Sequence, residues 1–287
     1  MRDETQCAYC CAEKGLVKDA RACRRHRCER PIKRHKGTHG LKWYCGKCDR
    51  GESILTGSVF DDLRMELPRA VMLIHCFAWN LTYEQAKLAC QLDVRDTVVH
   101  DDTISSWYDK LRDRIVDYAA NQADGLQPIG GPGRVVQVDE AQIGRRKYHV
   151  GRVYQDTWVV GMIDDTGDLR LAVTPDRSAS SLQTIVQKHV KVGSELHTDG
   201  WRAYRGLSLK GYSHRTVNHK EEFVASDGTH TQRIESQWRN IRRKISQGGK
   251  RHENMTEYLL EHLWRRDCRR RNLDPFLELV KLLKYEG

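Results

Sequence analysis

The stretch VVQVDE, residues 135–140, joins a buried-strand pattern to two adjacent acids. Val135–Val138 is typical of a short apolar strand, and the carboxylate of Asp139 follows it directly. A second short strand pattern, Glu195–Thr198, ends in the same way at Asp199, which is 60 residues further along the chain. Carboxylates at the ends of neighbouring strands meet at one edge of an α/β sheet, where the sites of such sheets usually lie.

Strand-like and helix-like segments alternate on both sides of these acids, from Arg134 onward. The order is three strands, a helix, a strand, a short helix, a strand and a long helix. The predicted strands cover residues 135–138, 157–163, 169–173, 195–198 and 214–217, and the predicted helices cover 178–190, 201–206 and 231–246. This order fits the ribonuclease-H-like fold, an α/β sheet with helices packed on it. In that fold the strands that end at Asp139 and Asp199 are neighbours.

A third acid, Glu235, lies on the last helix of this region, 36 residues after Asp199. It flanks the apolar stripe of the helix and can point toward the sheet edge. Glu140 competes with Asp139, but adjacent strand residues face opposite sides of the sheet. Taken singly, each acid could be a surface carboxylate, a turn residue or the partner of a nearby arginine. Together they predict a site for two Mg²⁺ ions, which activate the attacking oxygen and stabilise the leaving oxygen in phosphodiester cleavage.

Longer phrases around the three acids carry a resemblance to a known family. The phrases are VDEAQIGRRKYHVGRV (138–153), WVVGMID (158–164), PDRSASSL (175–182), HTDGWRAYRGL (197–207), VNHKEEFV (217–224) and GTHTQRIESQWRNIRRK (228–244). From Val138 to Lys244 the chain resembles the catalytic domain of Merlin-type DDE transposases and of their bacterial insertion-sequence relatives. The resemblance implies that Asp139, Asp199 and Glu235 are the catalytic acids.

The reaction implied by the resemblance is cut-and-paste DNA transposition. Hydrolysis at the terminal inverted repeats frees a 3′-hydroxyl, which then attacks target DNA. The implied cofactor is a pair of Mg²⁺ ions, with Mn²⁺ as a substitute. The implied partners are double-stranded DNA and further copies of the chain, in a homodimer or larger synapse, because two transposon ends are handled together. The implied compartment is the nucleus in a eukaryotic host and the cytoplasm in a bacterial one.

Two other functions remain open from the residues alone. One is a domesticated, sequence-specific DNA-binding protein that kept the fold and lost the reaction, and the other is a nuclease that cuts without joining. The intact acids favour the transposase.

Basic residues near the acids are the candidate DNA contacts. Three follow the first acid, two fall within family-like phrases, and three share the helix of Glu235, two of them at i+4 and i+7. The first three could instead form a charged hairpin tip. Arg177 and His219 could order the site instead of contacting DNA, and the histidine could be a structural hydrogen-bonding residue. The candidates are Arg145, Arg146, Lys147, Arg177, His219, Arg239, Arg242 and Lys244.

Cysteines crowd the N-terminal region, where seven of the ten fall within the first 48 residues. Such crowding favours metal binding over disulfides in an intracellular chain. The pairs Cys7-x2-Cys10 and Cys45-x2-Cys48 predict four thiolate ligands for a structural Zn²⁺ ion. The alternative is a set of reduced, unliganded cysteines. Six nearby residues could replace a ligand or form a second site: Cys11, Cys23, His26, Cys28, His35 and His39.

Composition and charge limit the class of protein. The 287 residues are 39% hydrophobic and 31% charged, which is a globular composition. We expect an intracellular protein, because no apolar run approaches the roughly 20 residues of a membrane span and the N-terminus lacks a signal-peptide pattern. The net charge of +10 is concentrated, with 14 basic against 6 acidic residues in 1–50 and 12 against 5 in 233–271. Such local positive charge favours a polyanion such as DNA.

The predicted domains follow these changes in composition. A Cys-rich zinc module covers 1–52, a helical region 53–123, a Gly- and Pro-containing linker 124–133, the catalytic domain 134–250 and C-terminal basic helices 251–287. Within the helical region, helices are expected over 67–81, 83–92 and 104–118. The last two, joined by a turn over 92–97, resemble a DNA-binding helix-turn-helix, and the alternative is an ordinary helical subdomain.

Overall fold

A computed structural model describes residues 3–34, 40–91, 98–122, 127–143, 157–217, 230–247 and 255–285. The chain divides into two compact units, one formed by Met1–Tyr118 with Trp264–Gly287 and the other by Ala119–Leu263. The predicted zinc module and helical region share the first unit, because one hydrophobic cluster runs through both. The second unit extends past residue 250, the predicted end of the catalytic domain, because Met255 and Leu259 pack in its core.

The first unit contains a small sheet and a set of helices. Strands β1 (Ile32–Arg34), β2 (Leu41–Cys45) and β3 (Arg50–Ser53) form an antiparallel sheet in that order. Trp43 on β2 is fully buried, and its indole N–H donates to the Lys18 carbonyl at 2.8 Å. The helices are α1 (Glu4–Glu13), α2 (Leu67–Ala78), α3 (Tyr83–Cys90), α4 (Asp101–Gln122) and α8 (Pro275–Leu282). Helix α7 (Met255–Arg270) begins in the second unit and continues into the first.

The helices expected in the predicted helix-turn-helix are present. Thr82 caps α3 through a capping box with Gln85, which satisfies N–H groups that the first turn leaves unpaired. The connecting turn predicted over residues 92–97 lies outside the described residues. A DNA-binding role for this pair of helices therefore stays a prediction.

The second unit is a mixed α/β structure. Its strands are β4 (Val135–Ile143), β5 (Thr157–Asp164), β6 (Leu169–Thr174), β7 (Glu195–Asp199) and β8 (Ser213–Val217), and its sheet has the order β6-β5-β4-β7-β8. Strand β4 pairs antiparallel with β5 and parallel with β7. The helices are α5 (Ala179–His189) and α6 (Gln232–Gln247), and two short 3-10 turns, Arg202–Tyr204 and Ser208–Lys210, follow β7. The predicted order of elements and the pairing of the two Asp-bearing strands are confirmed.

The first strand is longer than predicted. We expected it to end at Asp139, but β4 continues to Ile143, so Asp139 lies in its middle. The reason is that Ala141 and Ile143 join a hydrophobic cluster with α6, which keeps the strand on the sheet. Asp199 does end β7, as predicted.

The two faces of the sheet carry different helices. On one face Val136 and Val138 of β4 pack in a cluster with residues of α5. On the other face Ala141 and Ile143 pack with α6 and the start of α7. Strand residues alternate between faces, so Asp139 lies on the α6 side and Glu140 on the α5 side. Among the described helices, none is both long and apolar enough to cross a membrane.

Candidate active site

Helix α6 contacts the first acid directly. The indole N–H of Trp238 donates to Asp139 Oδ2 at 2.8 Å. Trp238 is 4% exposed and packs with Ile234 in the cluster that joins α6 to the sheet. Trp238 belongs to the apolar stripe of α6, and helical periodicity alone does not reveal its polar contact with the acid.

Asp139 ionises less readily than an ordinary carboxyl. Burial raises its pKa to about 6, and the negative charges of Glu140 and Asp199 add to the rise, against the opposing hydrogen bond from Trp238. The charge of Asp199 acts on Asp139 because β7 lies beside β4 in parallel register, with Gln137 opposite His197 two residues earlier. A cation bound among these carboxylates would offset both the burial cost and the repulsion.

The carboxylate of Asp199 is held in a turn at the end of β7. Its Oδ1 accepts the backbone N–H of Trp201 at 3.0 Å, in an Asx-type bond that fixes the side chain where the strand ends. Asp199 is half-buried. Its position is therefore set by its own backbone as well as by the sheet.

Glu235 and Asp139 line one cavity of about 750 Å³. Glu235 lies in the first turn of α6, and its Oε1 accepts the hydroxyl of Thr231 at 2.6 Å. The exposed side chains of Arg239 and Arg242 line the same cavity. The arrangement brings two of the predicted acids and two of the predicted DNA contacts around one solvent-filled space.

A glycine permits this close approach of helix and sheet. Gly161 on β5 pairs directly with Asp139 and carries no side chain between the sheet and α6. A Cβ atom there would lie 2.6 Å from Ile234 Cδ1 and 2.8 Å from Trp238 Cη2. Real carbon atoms essentially never approach so closely. A lone glycine inside the apolar strand pattern WVVGMID was the sequence signal of a close approach, and it went unused.

Arg177 has a different environment from the one predicted. Its guanidinium donates to Glu140 Oε1 (2.8 Å from Nε) and lies over the rings of Trp158 and Trp201, 4.7 and 4.2 Å from their centroids. The Glu140 side chain is 1% exposed and also accepts the hydroxyl of Tyr204. Arg177, one of the predicted DNA contacts, is therefore paired with a buried carboxylate on the α5 face. Glu140 therefore has an internal partner, and it also lines the cavity shared by Asp139 and Glu235.

Several predicted contacts cannot be placed. Arg145, Arg146, Lys147 and His219 lie outside the described residues. Lys244 falls on α6, but its side chain is also outside what the structure describes.

A second candidate centre lies in the first unit. Ligand atoms of Cys23, His26, Cys45 and Cys48 all lie within 4.8 Å of one another. The Cys23–Cys48 Sγ separation is 3.9 Å, and His26 Nδ1 lies 3.8 Å from Cys45 Sγ. Four ligands at tetrahedral Zn²⁺ distances would be separated by about 3.8 Å. The geometry and the donor set therefore fit a zinc ion.

Hydrogen bonds lower the pKa of two thiols of this cluster, Cys45 and Cys23, while the hydrogen bond to Cys45 raises the pKa of the third, Cys48. The backbone N–H of Cys48 donates to Cys45 and lowers the pKa of that thiol to about 6, and the N–H of His26 donates to Cys23 Sγ at 3.5 Å. Thiolates are the form that binds zinc. Cys28 Sγ lies 3.5 Å from Cys45 Sγ, so Cys28 competes with His26 for the fourth position.

The cluster differs from the predicted ligand set in two residues. Cys45 and Cys48 belong to it, but Cys7 and Cys10 lie on α1 instead. Cys7 is 1% exposed within the hydrophobic cluster of the first unit, because the helical turn directs it toward the core. His35 and His39 lie outside the described residues. The sequence signal for Cys23 and His26 was the group of ligand-type residues between the two CxxC pairs.

The family model of the ISXO2-like transposase domain matches residues 129–267. An uncharacterized transposase-like protein of Haemophilus influenzae is 30% identical over 94 residues, which cover 32% of this chain and 76% of that protein. Among solved structures, a pre-cleavage Mos1 transpososome is similar at 11% identity and a TM-score of 0.31, over 76% of this chain and 94% of that chain. A Mos1 strand transfer complex is similar at 12% identity and a TM-score of 0.30, over 76% and 93%. These TM-scores are too low to assign a fold.

Proposed function

Because the chain belongs to the ISXO2-like transposases, we propose that it cuts and joins DNA strands with divalent metal ions held by Asp139, Asp199 and Glu235. The observation that carries the proposal is the shared cavity of Asp139 and Glu235, together with the effect of the Asp199 charge on Asp139. The sheet order supports a ribonuclease-H-like catalytic domain. The relatedness to Merlin elements rests on the sequence phrases alone.

The three acids suit Mg²⁺, with Mn²⁺ as a substitute. Both ions prefer hard oxygen ligands, and three carboxylates supply them. Buried Asp139 gains most from a cation, since its anionic form is disfavoured without one. When bound, two such ions supply an activated attacking oxygen and stabilise the leaving oxygen of the phosphodiester.

The chain's own residues hold and orient the reacting groups. Trp238 fixes one oxygen of Asp139, and Trp201 fixes one oxygen of Asp199 through its backbone N–H. Arg239 and Arg242 at the cavity would bind phosphates and neutralise charge beside the scissile bond. We propose the same role for Arg145, Arg146, Lys147, His219 and Lys244, and we assign Arg177 to positioning rather than to DNA contact.

The zinc module would bind transposon-end DNA together with the helices of the first unit. We propose Cys23, Cys45 and Cys48 as zinc ligands, with His26 or Cys28 as the fourth, in place of the set containing Cys7 and Cys10. The partner is double-stranded DNA, both inverted repeats and target, and the charge concentrated in residues 1–50 suits it. A synapse of two or more copies follows from the need to process two ends. The protein would act in the nucleus of a eukaryotic host or the cytoplasm of a bacterial one.

A strand-transfer assay with labelled inverted-repeat ends tests the proposal. We expect cleavage at the end and joining to target DNA, both dependent on Mg²⁺. Asp139→Ala should abolish both and leave DNA binding intact, whereas Asp165→Ala, in an exposed hairpin turn, should behave as wild type. Binding without cleavage by the wild type would instead indicate a domesticated DNA-binding protein. Cleavage without joining would indicate a nuclease.

A further inference from the structure

A chain of polar side chains crosses beneath the three acids. Gln137 on β4 and His197 on β7 precede Asp139 and Asp199 by two residues each, so each shares the face of its acid. The two lie directly opposite each other in the parallel register. They are 3% and 6% exposed, which is unusual for a carboxamide and an imidazole unless each is fully bonded.

The carboxamide of Gln137 caps helix α6. Its Oε1 accepts the backbone N–H of Arg233 at 2.9 Å and of Ile234 at 3.3 Å. These are first-turn N–H groups that have no partner inside a helix. A local Ser, Thr, Asp or Asn usually accepts them. Here Thr231, just before the helix, donates its hydroxyl to Glu235 instead.

His230 joins this cap to the neighbouring strand. Gln137 Nε2 lies 3.0 Å from His230 Nδ1, and the backbone N–H of His230 donates to His197 Nδ1 at 3.4 Å. His197 Nε2 in turn lies 2.8 Å from Glu195 Oε1. Since Oε1 of Gln137 faces two N–H groups, its NH₂ must donate to a neutral His230. Each of these bonds then joins a donor to an acceptor, from β7 through β4 to α6.

We propose that Gln137 is a positioning residue, which with His230 and His197 sets α6 against β4 and β7 and so sets Glu235 against Asp139 and Asp199. The cap comes from the strand that carries Asp139, so the start of the helix cannot shift without breaking it. This inference rests on the proposed metal site. Residues that orient metal ligands typically change metal affinity or activity by roughly 10–100-fold when replaced.

Mn²⁺ binding to the full-length, metal-free protein tests this, with free Mn²⁺ measured by electron paramagnetic resonance. The reference is Asp139→Asn, which should lose the site. Gln137→Leu should weaken Mn²⁺ binding by about 10–100-fold. Gln137→Glu keeps the acceptor for both N–H groups, and the other tautomer of His230 can donate from Nδ1 to the second carboxylate oxygen. This variant should bind Mn²⁺ within about fivefold of wild type, as a rescue by the capping atom. Excess Mn²⁺ should partly restore single-turnover cleavage by Gln137→Leu.

Gln183→Leu is the matched control. Its Nε2 donates to the Ala203 carbonyl at 2.7 Å, so the variant loses a comparable carboxamide–backbone bond on the α5 face. It should lower the melting temperature and leave Mn²⁺ affinity unchanged. His230→Ala is the milder second variant if Gln137→Leu does not fold, with an expected loss of about 3–10-fold, below the range expected for Gln137→Leu.

Three results would overturn the inference or its basis in distinguishable ways. Equal Mn²⁺ affinity in wild type, Gln137→Leu and Gln183→Leu would show that Gln137 stabilises the helix without positioning the metal ligands. Unchanged affinity in His230→Ala, where Gln137→Leu is unfolded, would do the same. If wild type binds Mn²⁺ no better than Asp139→Asn, the proposed metal site itself fails and the positioning role fails with it.

Discussion

Gly161→Ala places one methyl group between the sheet and α6, opposite Asp139. The new carbon would lie 2.6 Å from Ile234 Cδ1 and 2.8 and 2.9 Å from two atoms of the Trp238 ring. Carbon atoms pack best at about 3.5–4.0 Å, so the face of α6 must retreat by about 1 Å. Overpacking of this kind costs about 1–3 kcal/mol of unfolding free energy.

The effect on catalysis should exceed the effect on folding. Trp238 holds Asp139, and Glu235 lies one turn earlier on the same helix, so both acids lose their relative position when α6 moves. A misplacement of about 1 Å can cost roughly 10²-fold in rate. We therefore expect single-turnover strand cleavage to fall by about 10²-fold while DNA affinity stays the same.

A double-mutant cycle with Ile234→Val separates steric displacement from general destabilisation. Ile234→Val deletes the atom nearest to the new methyl and by itself costs about 0.5–1.5 kcal/mol. In the double variant the two changes should compensate, with a coupling of at least about 0.5 kcal/mol and a faster rate than Gly161→Ala alone. Additive losses, or a Gly161→Ala enzyme that cleaves within threefold of wild type, would refute the reasoning.

Three further predictions concern charge and metal. The pKa of Asp139 rises from 3.8 to about 6 on folding, so the metal-free protein should lose stability as pH rises through this window. Asp139→Asn should therefore raise the unfolding free energy at pH 7 by up to about 3 kcal/mol. An unchanged denaturation midpoint in this variant would contradict the prediction. Cys23→Ser should lose its zinc while Cys10→Ser keeps it, and the reverse in a zinc analysis would restore the ligand set first predicted. Arg177→Met leaves the Glu140 carboxylate buried without its cation, so it should lower the unfolding free energy by about 3 kcal/mol without weakening DNA binding. Weaker DNA binding at unchanged stability would indicate that Arg177 contacts DNA.

The sequence predicted the elements of the second unit well because their signals are local. Apolar runs and helical periodicity marked the strands and helices, and the neighbouring positions of β4 and β7 followed from the expected ribonuclease-H-like fold. The end of β4 was predicted wrongly because the strand was taken to end at its first acid, Asp139. The strand continues because Ala141 and Ile143 meet α6, which is a tertiary contact that periodicity does not contain.

Contacts between residues distant in the sequence were the ones that could not be predicted. The partner of Arg177 could not be read from the sequence because Glu140 lies 37 positions earlier in the chain. The predicted zinc ligands differ from the observed cluster for a related reason. The two CxxC spacings suggested a pair of metal-binding turns. Cys7 and Cys10 lie on a helix instead, and the thiol of Cys7 packs on the core-facing side of that helix. Spacing alone cannot distinguish a metal-binding turn from one turn of helix.

The central claim is that Asp139, Asp199 and Glu235 form one metal-dependent site for DNA cleavage. Single-turnover cleavage by Asp139→Asn, Asp199→Asn and Glu235→Gln, beside an Asp165→Asn control, tests it most directly. Loss of a ligand removes several kcal/mol of transition-state stabilisation, so each of the three rates should fall by at least about 10³-fold with DNA affinity retained. Cleavage within tenfold of wild type by any one of the three variants would contradict the claim.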